Sequence, residues 1–124
     1  MDYLQVIIDN SNSYGFGIAY GDLVYLNTSN LWNRTDADSS NTIKLIGVAL
    51  GTSSVPGAVL LRGFVRATAY SSFSTGVPLY VSRTSGDFVS TLSGFAAGDY
   101  VRLMGYKVAT NTIYFNPDNT WVEL

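Results

Sequence analysis

Neither histidine nor cysteine occurs among the 124 residues, and that decides most of what the chain can do chemically. A Ser-His-Asp relay or a Cys-His pair cannot be assembled, and the usual zinc, copper and haem ligand sets have no members here. Carboxylates remain, eight Asp and one Glu, formally enough for the acid and base of glycoside hydrolysis. Most stand where turns favour them. Asp9, Asp87, Asp99 and Asp118 lie in turn contexts, where a short carboxylate bonds its own backbone. Asp36 and Asp38 fall in the longest polar segment, residues 34–41. Calcium takes six to eight oxygens, and the glycine and terminal glutamate of an EF-hand loop are missing, so the pair reads as solvated loop acids. A small glycosidase using Asp36 or Asp38 is the remaining catalytic alternative. Gly15-Phe16-Gly17 is too short to count as a nucleotide-binding fingerprint. The reading is therefore a protein with no enzymatic activity, no cofactor and no metal.

What remains is binding. Aromatic residues make up 14% of the chain, with nine Tyr, and such rings suit sugar stacking and protein contact alike. Trp32, Tyr70 and Phe73 sit in or beside loops, so they are the aromatic surface contacts the sequence suggests. Arg62 and Arg66 stand four apart in an apolar run, which places both on one side of a strand with their stems on apolar surface. They are candidates to meet acidic groups on a partner, or simply to solvate an outer face. A net charge of −2, a pI near 4.7 and scattered basic residues argue against nucleic acid, which selects a basic stripe. Charged residues are only 13% against 47% hydrophobic, so surface polarity rests on Ser, Thr, Asn and Gly, compatible with extensive contact to other protein. No run of about 18 apolar residues could form a spanning helix. The acidic start, with no basic region ahead of an apolar stretch, predicts no secretory signal.

The elements that must hold these residues read as strands. Short β-branched and aromatic runs recur every eight to twelve residues with turn chemistry between them, and no stretch keeps a 3.6-residue period, which predicts an all-β fold, a small antiparallel barrel or sandwich. Length gives one domain over residues 14–124, preceded by residues 1–13 as an N-terminal arm or edge strand. Tyr3, Leu4, Val6, Ile7 and Ile8 make that segment apolar enough to pair with its own sheet or to add a strand to a neighbour's. Two stretches echo each other: Gly-Asp-Leu-Val-Tyr-Leu-Asn at 21–27 and Gly-Val-Pro-Leu-Tyr-Val-Ser at 76–82. Gly47 and Gly105 follow their opening glycines by 26 and 29 residues. This suggests one β-unit used twice, although glycine-punctuated runs also recur by chance.

One pattern reaches beyond composition. Gly-x-Pro-Leu-Tyr-Val-Ser (76–82), Thr-Ser-Gly (84–86), Gly-Asp-Tyr-Val-Arg-Leu-Met-Gly-Tyr (98–106) and Ile-Tyr-Phe-Asn-Pro-Asp-Asn-Thr-Trp-Val-Glu (113–123) resemble a domain of tailed-bacteriophage structural proteins. Upstream, Gly-Asp-Leu-Val-Tyr-Leu (21–26), Asp-Ala-Asp (36–38) and Leu-Ile-Gly-Val-Ala-Leu-Gly (45–51) fit the same pattern, so the resemblance covers about residues 20–124. It implies a virion protein, either a decoration (cement) protein on the capsid exterior or a module of a tail or head fibre. A chain that is nearly all module fits decoration better. The resemblance further implies a homotrimer bound to the major capsid protein, made in the host cytoplasm and carried on the virion, with residues 2–8 as an arm. Under the fibre alternative the chain is a receptor- or glycan-binding module, with a host-surface glycan as a candidate partner.

Overall fold

The computed structural model describes residues 7–124. Strands form where β-branched and aromatic residues run between residues that tolerate reversal. They are β1 (Ile7–Asp9), β2 (Ser13–Tyr14), β3 (Leu23–Leu26), β4 (Leu31–Arg34), β5 (Ile46–Ala49), β6 (Val59–Arg66), β7 (Pro78–Val81), β8 (Phe88–Val89), β9 (Tyr100–Val101), β10 (Leu103–Ala109), β11 (Thr112–Phe115) and β12 (Val122–Glu123). Asn30 closes the β3–β4 hairpin at φ 65° and Asn111 the β10–β11 hairpin at φ 56°, a left-handed conformation that Asn tolerates better than most side chains. The Asn27 carboxamide holds the first turn by accepting from the Ser29 and Leu31 amides. The polar segment 34–41 runs into a 3-10 turn at Ser40–Ile43, whose start is capped by the Ser39 hydroxyl accepting from the Asn41 amide.

One ten-stranded sheet carries the chain, in the order β2-β4-β3-β5-β6-β11-β10-β7-β8 with β1 also on β6, and β9 and β12 form a small second sheet. The all-β expectation holds, with two corrections. Pairing is mixed, because β2 runs parallel to β4. The sheet also does not close into a barrel: its terminal strands β2 and β8 are two residues each, too short to build a closing ladder. The sheet instead folds over itself, as in a sandwich. Leu23, Ile46, Val48 and Leu60 from one half meet Leu79, Val81, Met104 and Phe115 from the other in the main core. Single backbone bonds tie the two halves at one corner, from Leu23 N–H to the Gly86 carbonyl and from Ala37 N–H to the Ser82 carbonyl.

The connectivity repeats. Strands β3, β4, β5 and β6 lie in the order β4-β3-β5-β6, and β7, β8, β10 and β11 lie in the order β8-β7-β10-β11, with β6 and β11 joining the two sets. The echoed sequences occupy β3 and β7, as their repetition suggests, but one residue out of phase. Matching Gly21 to Gly76 sets Val24 against Leu79 and Leu26 against Val81. Val24 and Leu26 pack on the outer side of the sheet, whereas Leu79 and Val81 belong to the main core. With a side-chain period of two, a one-residue slip exchanges the faces.

The first half is covered on both sides. Residues 14–18 lie across its outer face, where Tyr14 and Ile18 pack with Val24, Trp32, Ala49 and Val59 in a second cluster. Gly15 makes the close approach possible: its amide donates to the Trp32 carbonyl at 2.7 Å, and a Cβ there would collide with the Asn33 side chain. The alternation over residues 14–20 suggests a strand, but only Tyr14 belongs to one. Gly17 at φ 77° breaks the extended run, and Ser53 takes over the bonding with Ile18 and Gly15.

Candidate functional site

Of the residues the sequence nominates for binding, Tyr3, Leu4 and Val6 lie outside the described residues. Ile7 and Ile8 are exposed on β1, paired with Arg62 and Leu60 of β6. From Gly63, opposite Phe115, to Arg66, opposite Thr112, β6 pairs with β11. Among the described residues β1 pairs with no other strand.

Two nominated aromatics are corrected. Trp32 is fully buried in the second cluster, its indole N–H donating to the Asp9 carboxylate at 2.9 Å. That carboxylate is held well below its usual pKa by hydrogen bonds from Ser11 first, then Asn12 and Trp32. Tyr70 is buried in the main core, its hydroxyl donating to the Gly21 carbonyl at 2.9 Å. Burial pushes its phenol up, out of any titrating role. Neither can serve as a surface contact. Phe73 is half-buried against the core and lines a cleft. Arg62 is half-buried and Arg66 exposed, but the alternation that would align them is interrupted between them. Leu60 and Val65 share one core cluster though an odd number of residues apart, with Gly63 at φ 142° in the interval.

The surface that strand register does assemble is an aromatic row. Pro78 is opposite Tyr106, Tyr106 opposite Tyr114, and Tyr114 opposite Phe64. Residues directly opposite in antiparallel pairs project to one face, and because Val65 and Ile113 enter the core, this is the outer face. At about 4.8 Å per strand the row spans roughly 14 Å. The Phe64 and Tyr114 rings meet at 5.1 Å, tilted by 41°. Phe64 is 45% exposed and Tyr106 44%. Arg66, paired with Thr112 two residues along, puts a cation at the margin. Residues 14–18 cover the first half of the sheet, and among the described residues no comparable segment lies over this half, where Phe64 and Tyr106 stay about half exposed. Phe16, 96% exposed between two glycines, is a further apolar projection that sequence reading passed over. It is visible only once its neighbours are seen to lie flat on the sheet.

A cleft of 390 Å³ opens where the halves meet, bordered by Asp22, Asp87, Ser72, Ser90, Phe73 and Phe88. Its aromatic wall is locked: Phe88 stands edge-on to Tyr70 at 5.6 Å. Below it Lys107, 3% exposed, donates from Nζ to the Tyr70 carbonyl at 2.9 Å and the Phe73 carbonyl at 2.6 Å. Asp22 accepts from the Ala19 amide at 2.9 Å, and burial raises its carboxyl above the usual range.

The Asp36–Asp38 loop is structural in its contacts. Ala37 is fully buried and its carbonyl accepts from the Tyr100 amide. Asp38 and Asp99 share Arg83, at 3.9 and 2.9 Å. Asp36 keeps one buried oxygen without a hydrogen-bond partner, and burial, with Asp38 beside it, raises its carboxyl to about 6. Among the described residues no group of three or more Asp or Glu is placed to hold a metal ion. Compared with protein-family models, curated proteins and solved structures, the chain finds no match in any of the three.

Proposed function

We propose that the chain is a non-enzymatic structural protein of a tailed-bacteriophage virion, a decoration protein that binds the exterior of the assembled capsid and stabilises it by bridging subunits. The observation that carries the binding half of this reading is the open outer face of β6, β11 and β10, with its row of Phe64, Tyr114 and Tyr106. Covering the exposed part of the Phe64 and Tyr106 rings removes about 200 Å² from water, roughly 5 kcal/mol gross at 25 cal/mol per Å². Association and side-chain ordering cost much of that, so one copy docks weakly and a trimer docks firmly through linked sites. The virion assignment rests on the motif resemblance over residues 20–124. A ligand that binds only the assembled lattice stabilises it by mass action; the partner is the major capsid protein, met after synthesis in the host cytoplasm.

The direct experiment mixes purified protein with undecorated capsids and sediments them. Saturable co-sedimentation supports the reading, and protein left wholly in the supernatant refutes it. A second reading, a glycan-binding module of a tail or head fibre, is favoured by the 390 Å³ cleft.

A further inference from the structure

We infer that the cleft between Asp22 and Asp87 binds a neutral hexopyranose unit of a glycan. This gives the glycan-binding reading a site, and the cleft shares no residue with the aromatic row, so the capsid-docking reading stands or falls separately. Its volume of 390 Å³ lies in the lower part of the range small-ligand sites occupy, about 300–1,000 Å³.

A pyranose presents vicinal hydroxyls that donate and accept, and an apolar C–H face. The cleft offers matching groups. Asp22 and Asp87 reach it from different halves of the fold, one just before β3 and the other just before β8, as acceptors for paired hydroxyls. Ser72 and Ser90 add hydroxyls, and neither they nor the Asp87 carboxylate hydrogen-bond to another described residue. Phe73, half-buried, leaves part of its ring for the sugar's C–H face, an arrangement aromatic rings favour. Charge selects against acidic sugars, since two carboxylates border the opening. Arg34 lies beside Asp22 and offsets part of that charge, so a cation is not required either.

The walls are fixed before any ligand arrives. Tyr70 bonds the Gly21 carbonyl, Lys107 pins the carbonyls of Tyr70 and Phe73, and Gly86 exchanges backbone bonds with Leu23 and Thr35. A Cβ on Gly86 would meet the Arg34 stem at 2.9 Å and the Asp22 carboxyl carbon at 3.2 Å, and its φ of 85° suits glycine. A site held this way loses little freedom on binding.

The test is an amide-resolved NMR titration of the intact protein with methyl glucoside, methyl galactoside and N-acetylglucosamine, with glucuronate as the anionic control. At least one neutral sugar shifts the amides of Asp22, Ser72, Asp87 and Ser90 saturably, with a Kd of about 1–10 mM, the strength expected of a single sugar ring. Asp87→Asn, at an exposed position, raises that Kd about tenfold while the rest of the spectrum is retained, and Asp22→Asn does likewise. The inference is overturned if no neutral sugar gives saturable shifts at these amides up to about 50 mM, a concentration well above that Kd range. Equal shifts from glucuronate, or binding unchanged in Asp87→Asn, overturn it as well.

Discussion

Replacing Lys107 with Met keeps an unbranched stem in the same space and removes only the charged tip, so the change isolates the two bonds that hold the loop over the cleft. Lys107 is 3% exposed, and its Nζ bonds the Tyr70 and Phe73 carbonyls. Each bond from a charged donor is worth about 1.5–3 kcal/mol, but burying an ammonium costs several kcal/mol, and that cost disappears with the charge. The Tyr70 carbonyl is buried and stays unsatisfied, about 1–3 kcal/mol, whereas the Phe73 carbonyl is only part-buried and regains water. The net expectation is a loss of about 2 kcal/mol, or a fall in Tm of about 8 °C for a domain of this size. The backbone bonds from Gly76 to Lys107 and from Lys107 to Val77 remain, so the strand persists while the loop loosens. Thermal unfolding followed by circular dichroism reads the first effect, and faster amide exchange confined to residues 70–76 reads the second. An unchanged or raised Tm with unchanged exchange refutes the claim that Lys107 fixes the loop.

Arg102 is the second buried cation, its Nε donating to the Asp118 carbonyl and its Nη1 to the carbonyls of Thr42 and Lys44, with the guanidinium 5.3 Å from the Trp121 ring. Arg102→Lys cannot reproduce that planar fork, so it lowers stability by about 2 kcal/mol in denaturant titration, with β12 and the C-terminal turn exchanging first. Asp36 tests pH. Its folded-state carboxyl is raised from 3.8 to about 6, so the folded form holds the proton more tightly than the unfolded chain. Its contribution is most favourable below about pH 4 and is lost as pH rises through 6. Asp36→Asn therefore raises stability at pH 7 by about 1 kcal/mol after allowance for solvent screening, and flattens the pH 4–6 limb of the thermal stability profile.

The all-β class and the alternation of short strands with turns were legible because each is written locally, in β-branched and aromatic runs and in Gly, Asn and Asp. Burial of loop-flanking aromatics was not. Trp32 finds its carboxylate at Asp9 and Tyr70 its carbonyl at Gly21, partners 23 and 49 residues away, and nothing beside either residue announces them. Trp32 is buried because residues 14–18 turn back over the sheet, a path set by Gly15 and Gly17 and masked by an alternation that resembles a strand. The aromatic row was hidden for a related reason: Phe64, Tyr106 and Tyr114 become neighbours only through register. The phase of β10 also shifts at Gly105, φ 151°, where pairing slips between Leu103 and Gly105. That same shift turns Lys107 inward from a run whose composition suggests a solvated lysine.

The docking claim is tested most directly by sedimenting undecorated capsids with the wild-type protein and with the double variant Phe64→Ser, Tyr106→Ser, which changes two exposed rings on the open face. The account predicts saturable capture of the wild type and at least a tenfold weaker capture of the variant, which loses about 1–3 kcal/mol with the half-buried rings and the Tyr114 contact yet stays folded at the assay temperature because neither ring belongs to the core. Equal capture of both proteins contradicts the assignment of the docking face, and capture of neither contradicts capsid binding itself.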